Sequence, residues 1–288
     1  MHIRFSDAFI DRILHEDCPL GDLTTELLGI GDVEGSLTMA PREDVTIAGV
    51  ELATRILGRS GCRVAALATE GQAVAAGTVV VRAEGKAYAL HMGWKIAQNV
   101  IETMTGIATR AARICAEAAR GCAEGRICPV CVTRKNAPGM KTMSLAAATA
   151  GGCIVHRTGL SETVLVFAQH TCFLPDGGGI PSLVALIPRL RARAPEKRIT
   201  VEVGDLGAAL ALARAGVDAI QFEKFSSEEL AKAVPLLREV NAAIRILAAG
   251  GITADNASEM AASGVDGLVT SWPYYGRPQD VQVTMRCR

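Results

Sequence analysis

Residues 198–248 read RITVEVGDLGAALALARAGVDAIQFEKFSSEELAKAVPLLREVNAAIRILA, and this stretch decides the fold. Three apolar runs, Arg198 to Val203, Ala219 to Phe222 and Ile244 to Ala248, lack the alternation of a strand with one wet face. They predict strands buried on both faces. Between them, Leu206 to Ala215 and Ser227 to Val240 place apolar residues at three- and four-residue steps, which predicts helices. A buried strand followed by a helix, repeated, means a parallel sheet or a barrel.

Working outward, the same rhythm begins near residue 127 and lasts to residue 270. Further strands are expected at Ile127 to Val132, Thr163 to Phe167 and Gly267 to Thr270, and further helices at Met140 to Ala150, Ser182 to Ala194 and Thr253 to Ser263. Regular spacing, with glycines and charges at the strand ends, favours an α/β barrel whose site lies at those C-terminal ends. No G-x-G-x-x-G follows the first strand, which weighs against a dinucleotide fold. A doubly wound sheet stays open as the second reading, because periodicity does not separate the two.

The first 120 residues are organised differently. Ser6 caps an expected helix over 6–15, with Phe5 and Ile10 at staple spacing. Glu16 to Thr25 reads as a loop. Short strand-like runs follow at Ser36 to Met39, Val45 to Ala48, Cys62 to Ala66 and Val79 to Ala83, and then an amphipathic helix from about Gly93 to Arg120. The expected organisation is an N-terminal α/β sandwich with the linking helix, residues 1–110, and an α/β barrel, residues 111–273. The tail 274–288 is a candidate for return to the sandwich.

Lys plus Arg and Asp plus Glu both number 30, so no basic excess points to nucleic acid. No apolar run reaches the ~20 residues that span a bilayer. Charges at Arg4 and Asp7 stand where a signal peptide would be apolar. The expectation is a cytoplasmic protein without membrane or nucleic-acid partners. Nine cysteines then read as free thiols. Cys128 and Cys131 have C-x-x-C spacing, but no second pair follows to complete a zinc site, and they read as buried apolar residues.

The strand ends carry the chemistry. Thr133-Arg134-Lys135 places two cations in a turn, where they hold an anion or form a solvated pair. His156 and Arg157 sit among glycines that admit a ligand. Glu202 interrupts an apolar strand and Glu223 ends the next. Two such carboxylates near cations suggest Mg²⁺ held for a phosphorylated substrate, against the alternative that Glu202 pairs with Arg134 or Lys135. Ala249-Gly250-Gly251 is a turn that enters a helix and reads as a phosphate seat, shared with the last strand end at Thr270 and Ser271.

Taken in order, Thr105-Gly106-Ile107-Ala108-Thr109, Thr133-Arg134-Lys135 with Pro138-Gly139, Gly151-Gly152 with His156-Arg157 and Gly159-Leu160, Glu202, and Ala249-Gly250-Gly251-Ile252 resemble quinolinate phosphoribosyltransferases. Gly21-Asp22-Leu23-Thr24-Thr25 is similar to the family's N-terminal signature, so the resemblance covers nearly the whole chain. It implies a sandwich, an open barrel, and a homodimer whose sites the partner completes. It also implies Mg²⁺, phosphoribosyl pyrophosphate as donor and a small heterocyclic acceptor. Position by position it gives Lys135 to the donor, and Lys95, Arg134, His156 and Arg157 to the base. Glu202 and Glu223 go to metal and ribose, and Ala249, Gly250 and Gly251 to the 5′-phosphate.

The departures are specific. A family lysine is replaced by Phe167, a family arginine by Lys95, an Asp by Val132 and a late glycine by Ser271. A family Asp is Glu223. Losing a cation leaves less charge to hold the two carboxylates of quinolinate. Leu165-Val166-Phe167 with Gln169-His170, and Thr270 to Tyr275, resemble instead the ModD branch, encoded with molybdate transporters. Two other functions stay open at this point. One is an idle ligand sensor in molybdenum metabolism. The other is a barrel lyase using Lys135 as a Schiff-base amine.

Overall fold

The computed structural model describes residues 3–175 and 177–288. The chain divides into two units, one of Met1–Ala112, Asn136–Gly152 and Pro273–Arg288, the other of Arg113–Lys135 and Cys153–Trp272.

In the first unit Ser6 caps helix α1 (Asp7–Asp17), its Oγ accepting the Phe9 N–H at 3.2 Å. Phe5 and Ile10 are buried together at its start. The segment expected to be all loop contains a second helix, α2 (Leu23–Leu27). Asp22 explains it: one carboxylate oxygen accepts the Thr24 N–H at 3.1 Å and the other accepts the Thr25 hydroxyl. A side-chain cap thus starts a turn too short to show periodicity.

Strand β1 (Glu34–Pro41) alternates buried and half-buried residues, with Leu37 and Met39 fully enclosed. β2 (Val45–Thr46), helix α3 (Val50–Arg59), β3 (Arg63–Ala66), β4 (Ala73–Val74) and β5 (Val81–Lys86) follow. β5 lies antiparallel between β1 and β3. The long helix α4 (Ala87–Arg120) begins six residues before the expected Gly93. Its first N–H groups donate to main-chain oxygens, Ala87 to Val33 at 2.8 Å and Tyr88 to Gly31 at 3.1 Å. No capping side chain is needed, so the sequence carries no start signal. The helix is pinned by Thr105, whose hydroxyl donates to the Ala48 carbonyl at 3.1 Å and accepts its N–H at 3.2 Å.

The second unit is built on parallel strands. The elements are β6 (Val130–Val132), α5 (Lys141–Ala150, grouped with the first unit), β7 (Ile154–Val155), β8 (Val164–Val166), α6 (Ala168–Thr171) and α7 (Gly179–Arg193). β9 (Ile199–Val203), α8 (Leu206–Arg214), β10 (Ala219–Glu223), α9 (Ser227–Val240), β11 (Arg245–Ala249), α10 (Ala257–Ala262) and β12 (Gly267–Thr270) complete it. The sheet order is β7-β6-β12-β11-β10-β9-β8. From β8 to β12 each strand lies beside its predecessor, and β12 pairs with β6. This is a curled, singly wound half-barrel, open between β7 and β8, and not a doubly wound sheet. In register, Glu202 of β9 faces Gln221 of β10, and Glu223 faces Ala249 of β11. Ile220, Phe222 and Ile246 alternate with these and are fully buried. Cys131, Ala249 and Val269 form a small apolar cluster with Leu247.

The last strand, β13 (Val281–Cys287), pairs antiparallel with β1, Leu37 facing Met285, and completes the first unit's sheet as β13-β1-β5-β3. Burial pushes the thiols of Cys128 and Cys131 up to about 12, so both stay protonated at neutral pH. Among the described residues, no helix is long and apolar enough to cross a membrane.

Helix α3 shows how a distant side chain sets local structure. Gly49 at its start has φ of 87° and no side chain to cap with. Glu70 supplies the cap, accepting the Gly49 and Glu51 N–H groups at 2.8 and 2.9 Å. Glu70→Ala is expected to lower stability by ~1 kcal/mol, a capping loss. Urea unfolding checks this: the midpoint falls in the alanine variant, and Glu70→Gln recovers part of the difference.

Candidate functional site

The C-terminal ends of the second unit's strands bring together most of the expected site residues. After β6, the Thr133 N–H donates to the Thr270 carbonyl at 3.1 Å, and Thr133 Oγ lies 2.6 Å from Ser271 Oγ. The Lys135 N–H donates back to Thr133 Oγ at 3.1 Å. This turn exposes the side chains of Arg134 and Lys135. After β7, which the sequence hides because it is two residues long, the His156 N–H donates to Val132 O at 3.1 Å. Arg157 is buried, and its loop is tied by Glu162, which accepts the Thr158 hydroxyl at 2.6 Å and the Thr158 N–H.

Phe167 directly follows β8 and packs beside two strand-end side chains. Its ring centroid lies 5.9 Å from the Arg157 guanidinium carbon and 5.6 Å from the His170 ring. His170 Nδ1 accepts the Phe167 N–H at 3.0 Å, which fixes the stacked pair. An aromatic face under a guanidinium holds it without neutralising it.

Glu202 is half-buried, and one carboxylate oxygen accepts the Gln221 side-chain N–H at 2.7 Å. Burial holds its carboxyl above the usual range, Glu223 adds to this, and the Gln221 bond and Lys135 oppose it. The expected alternative, an ion pair of Glu202 with Arg134 or Lys135, does not form. Gln221 was missed by the sequence reading. A glutamine in a four-residue apolar run was the available signal, of the same kind that singled out Glu202.

The glycine turn after β11, expected as a phosphate seat, differs from expectation in one respect. Helix α10 starts at Ala257 and not at Thr253. Asn256 accepts the Thr253 N–H at 2.9 Å, and residues 253–256 form a turn in place of the first helical turn. Gly250 and Gly251, at φ of 86° and 73°, are turn glycines whose N–H groups meet no acceptor among the described residues. The Thr270 hydroxyl is committed to structure: it donates to the Ile252 carbonyl at 2.7 Å and accepts the Trp272 N–H at 3.0 Å. Ser271 is likewise tied to Thr133. Lys95 belongs to the first unit, exposed on α4, with Nζ 2.8 Å from Gln98 Oε1 and 4.0 Å from the Trp94 ring.

The electrostatics of this strand-end cluster are one-sided. Arg134, Lys135, Arg157 and Lys224 form no ion pair among the described residues, although carboxylates elsewhere in the chain are paired with arginines. Cations left unpaired at strand ends can hold an anion. Glu202 and Glu223 add hard oxygen donors beside it.

Two family profiles match nearly the whole chain: quinolinate phosphoribosyl transferase, N-terminal domain, over residues 22–105, and its C-terminal domain over residues 107–284. The chain belongs to the quinolinate phosphoribosyl transferase family. Within this family it is similar to ModD of Rhodobacter capsulatus, 44% identical over 90% of this chain and 96% of that protein. An Escherichia coli ModD is 34% identical over 99% and 98%. The human nicotinate-nucleotide pyrophosphorylase is 29% identical over 90% and 84%. Among solved structures, NadC from Streptococcus pyogenes superposes with a TM-score of 0.87 at 22% identity, covering 98% of this chain and 96% of its own.

His156 gives this site a pH signature. Burial first, and Arg157 second, hold its imidazole below the ordinary 6.5. Unfolding restores the higher value, so the unfolded chain binds more protons below pH 6.5. The His156 contribution is therefore fully present above that pH and is lost as pH falls towards the folded value. Denaturation at pH 7.5 and 5.5 is expected to show wild type losing more stability than His156→Gln. Equal losses would contradict the shift.

Proposed function

We propose that this enzyme transfers a phosphoribosyl group from phosphoribosyl pyrophosphate to a ring nitrogen of a planar acidic heterocycle. The observation that carries the proposal is a set of strand-end cations that form no ion pair among the described residues, on the same half-barrel as a turn of free N–H groups and two acidic strand ends. An anionic, phosphorylated substrate completes this set. The C1–oxygen bond breaks with its electron pair going to pyrophosphate, and the acceptor nitrogen forms the new bond to C1. Lys135 and the neighbouring cations bind the leaving charge, and Glu202 and Glu223 orient the ribose hydroxyls. No protein nucleophile is required, because held geometry and charge stabilisation act on both partners.

Glu202 and Glu223 fit Mg²⁺. One Glu202 oxygen is held by Gln221 at 2.7 Å, which leaves the other for a hard cation. Two carboxylates match an ion that takes its remaining ligands from water and substrate phosphates. When bound, Mg²⁺ would supply charge stabilisation for the departing pyrophosphate.

On the acceptor side Arg134, His156 and Arg157 offer one acidic group a partner, while Phe167 offers an aromatic face. This favours an acceptor flatter or less charged than quinolinate. We further propose that the enzyme works in the cytoplasm, in molybdenum metabolism, as a homodimer in which Lys95 serves the partner's site.

Calorimetry tests the metal assignment: Mg²⁺ strengthens phosphoribosyl pyrophosphate binding to wild type, and Glu202→Gln weakens this coupling about tenfold. Donor affinity indifferent to Mg²⁺ would remove Glu202 from the metal site. Substrate choice is tested by pyrophosphate release with quinolinate, monocarboxylate and uncharged nitrogen heterocycles. Leaving one carboxylate of quinolinate unpaired costs ~1–3 kcal/mol, so wild type is expected to disfavour quinolinate by roughly ten- to a hundredfold. Phe167→Lys is expected to narrow that gap. Wild-type turnover of quinolinate above every monocarboxylate tested would instead support the nicotinate-nucleotide pyrophosphorylase activity named for the human relative.

A further inference from the structure

Among the described residues, Lys224 is the single non-glycine residue with positive φ, at 61°. A lysine gains nothing locally from that conformation, since glycine or asparagine adopts it at lower cost. Non-glycine residues persist there when the surrounding structure holds them for a purpose. The surroundings are specific. Lys224 directly follows Glu223, and its N–H donates to the Ala249 carbonyl at 2.8 Å, locking it beside the glycine turn. A Cβ on Gly250 would come within 2.7 Å of Lys224 Cγ and 2.8 Å of Glu223 Oε1. The lysine stem therefore runs against the bare backbone of Gly250, and the gap that glycine leaves is filled by that stem.

Lys224 is exposed, and its ammonium makes no hydrogen bond or ion pair among the described residues. Glu223 adjoins it in sequence but does not pair with it. Gly250 and Gly251 present unpaired N–H groups at the same turn. A flexible cation beside two free backbone donors is a site for the terminal oxygens of a phosphate ester.

We propose that Lys224 is a further substrate-binding residue, held in a left-handed conformation so that its ammonium grips the phosphate ester of the phosphoribosyl donor over the Gly250–Gly251 turn. This rests on the phosphoribosyl-transfer reading above and adds a residue to it. Its position accounts for the strain, for the tight approach to Gly250 and for the absence of an internal partner.

The test is calorimetric titration with ribose 5-phosphate, with ribose as the uncharged control, on wild type, Lys224→Asn, Lys224→Gly and Lys224→Arg, together with thermal melting. Asparagine and glycine relieve the strain and remove the charge. Both variants are expected to melt at or above the wild-type temperature yet bind ribose 5-phosphate about five- to tenfold more weakly. Ribose binding should not change between proteins, and Lys224→Arg should recover phosphate affinity. A purely structural lysine would lower the melting temperature and leave phosphate affinity alone. Unchanged affinity in Lys224→Asn and Lys224→Gly overturns the assignment while leaving the transfer reading intact. If wild type binds neither ribose 5-phosphate nor inorganic phosphate, the glycine turn is not a phosphate seat, and both readings fall.

Discussion

The parallel pairing of β12 with β6 is the constraint on which the second unit depends. The last strand returns to the first, with Leu268 facing Val130 and Thr270 facing Val132. Without it, the loop after β12 would have no strand pairing to bring it to the loop after β6. With it, the loop after β6 meets the loop after β12, and Thr133 and Ser271 share a hydrogen bond of 2.6 Å. Thr270 extends the tie to the glycine turn through the Ile252 carbonyl. The Thr270 and Ser271 hydroxyls, expected at a phosphate seat, thus act as fasteners between these loops.

The charges at these strand ends are arranged against the resting protein's own interest. Arg157 is buried over an aromatic ring and forms no ion pair among the described residues, and Glu202 is half-buried with an amide as its hydrogen-bond partner. Each carries a desolvation cost that an internal ion pair would have reduced. Elsewhere the chain does make such pairs, as Arg238 with Asp266 at 2.7 Å. The contrast sets these strand ends apart from the rest of the chain, and an anionic substrate bound there, as proposed above, would recover part of that cost. Lys224 belongs to the same pattern, with backbone strain in place of desolvation.

Much of this was legible in the sequence because it rests on period and composition. Continuous apolar runs marked β9 to β12 to within a residue, and the polar interruption at Glu202 marked a site. Several features left no trace. β7 has two residues, too few for any period. The start of α4 is capped by main-chain oxygens from residues 31 and 33, and α2 by one aspartate. The late start of α10 follows from the Asn256 side chain replacing a helical turn. Gln221 and Lys224 needed three dimensions for different reasons. One shows its role through the register that faces it to Glu202, the other through a dihedral angle.

The opening between β7 and β8 has a consequence for how the chain behaves among its copies. A closed barrel has no strand edges, whereas a half-barrel exposes two rows of main-chain groups that another extended segment could join. Here both edge strands are short, two and three residues. A row that short offers too few hydrogen bonds to recruit an added strand, and a template for fibrous stacking needs six or seven residues. The long apolar strands, β9 to β11, each have neighbours on both sides. The open half-barrel therefore keeps its long apolar strands internal and leaves short strands at its rim.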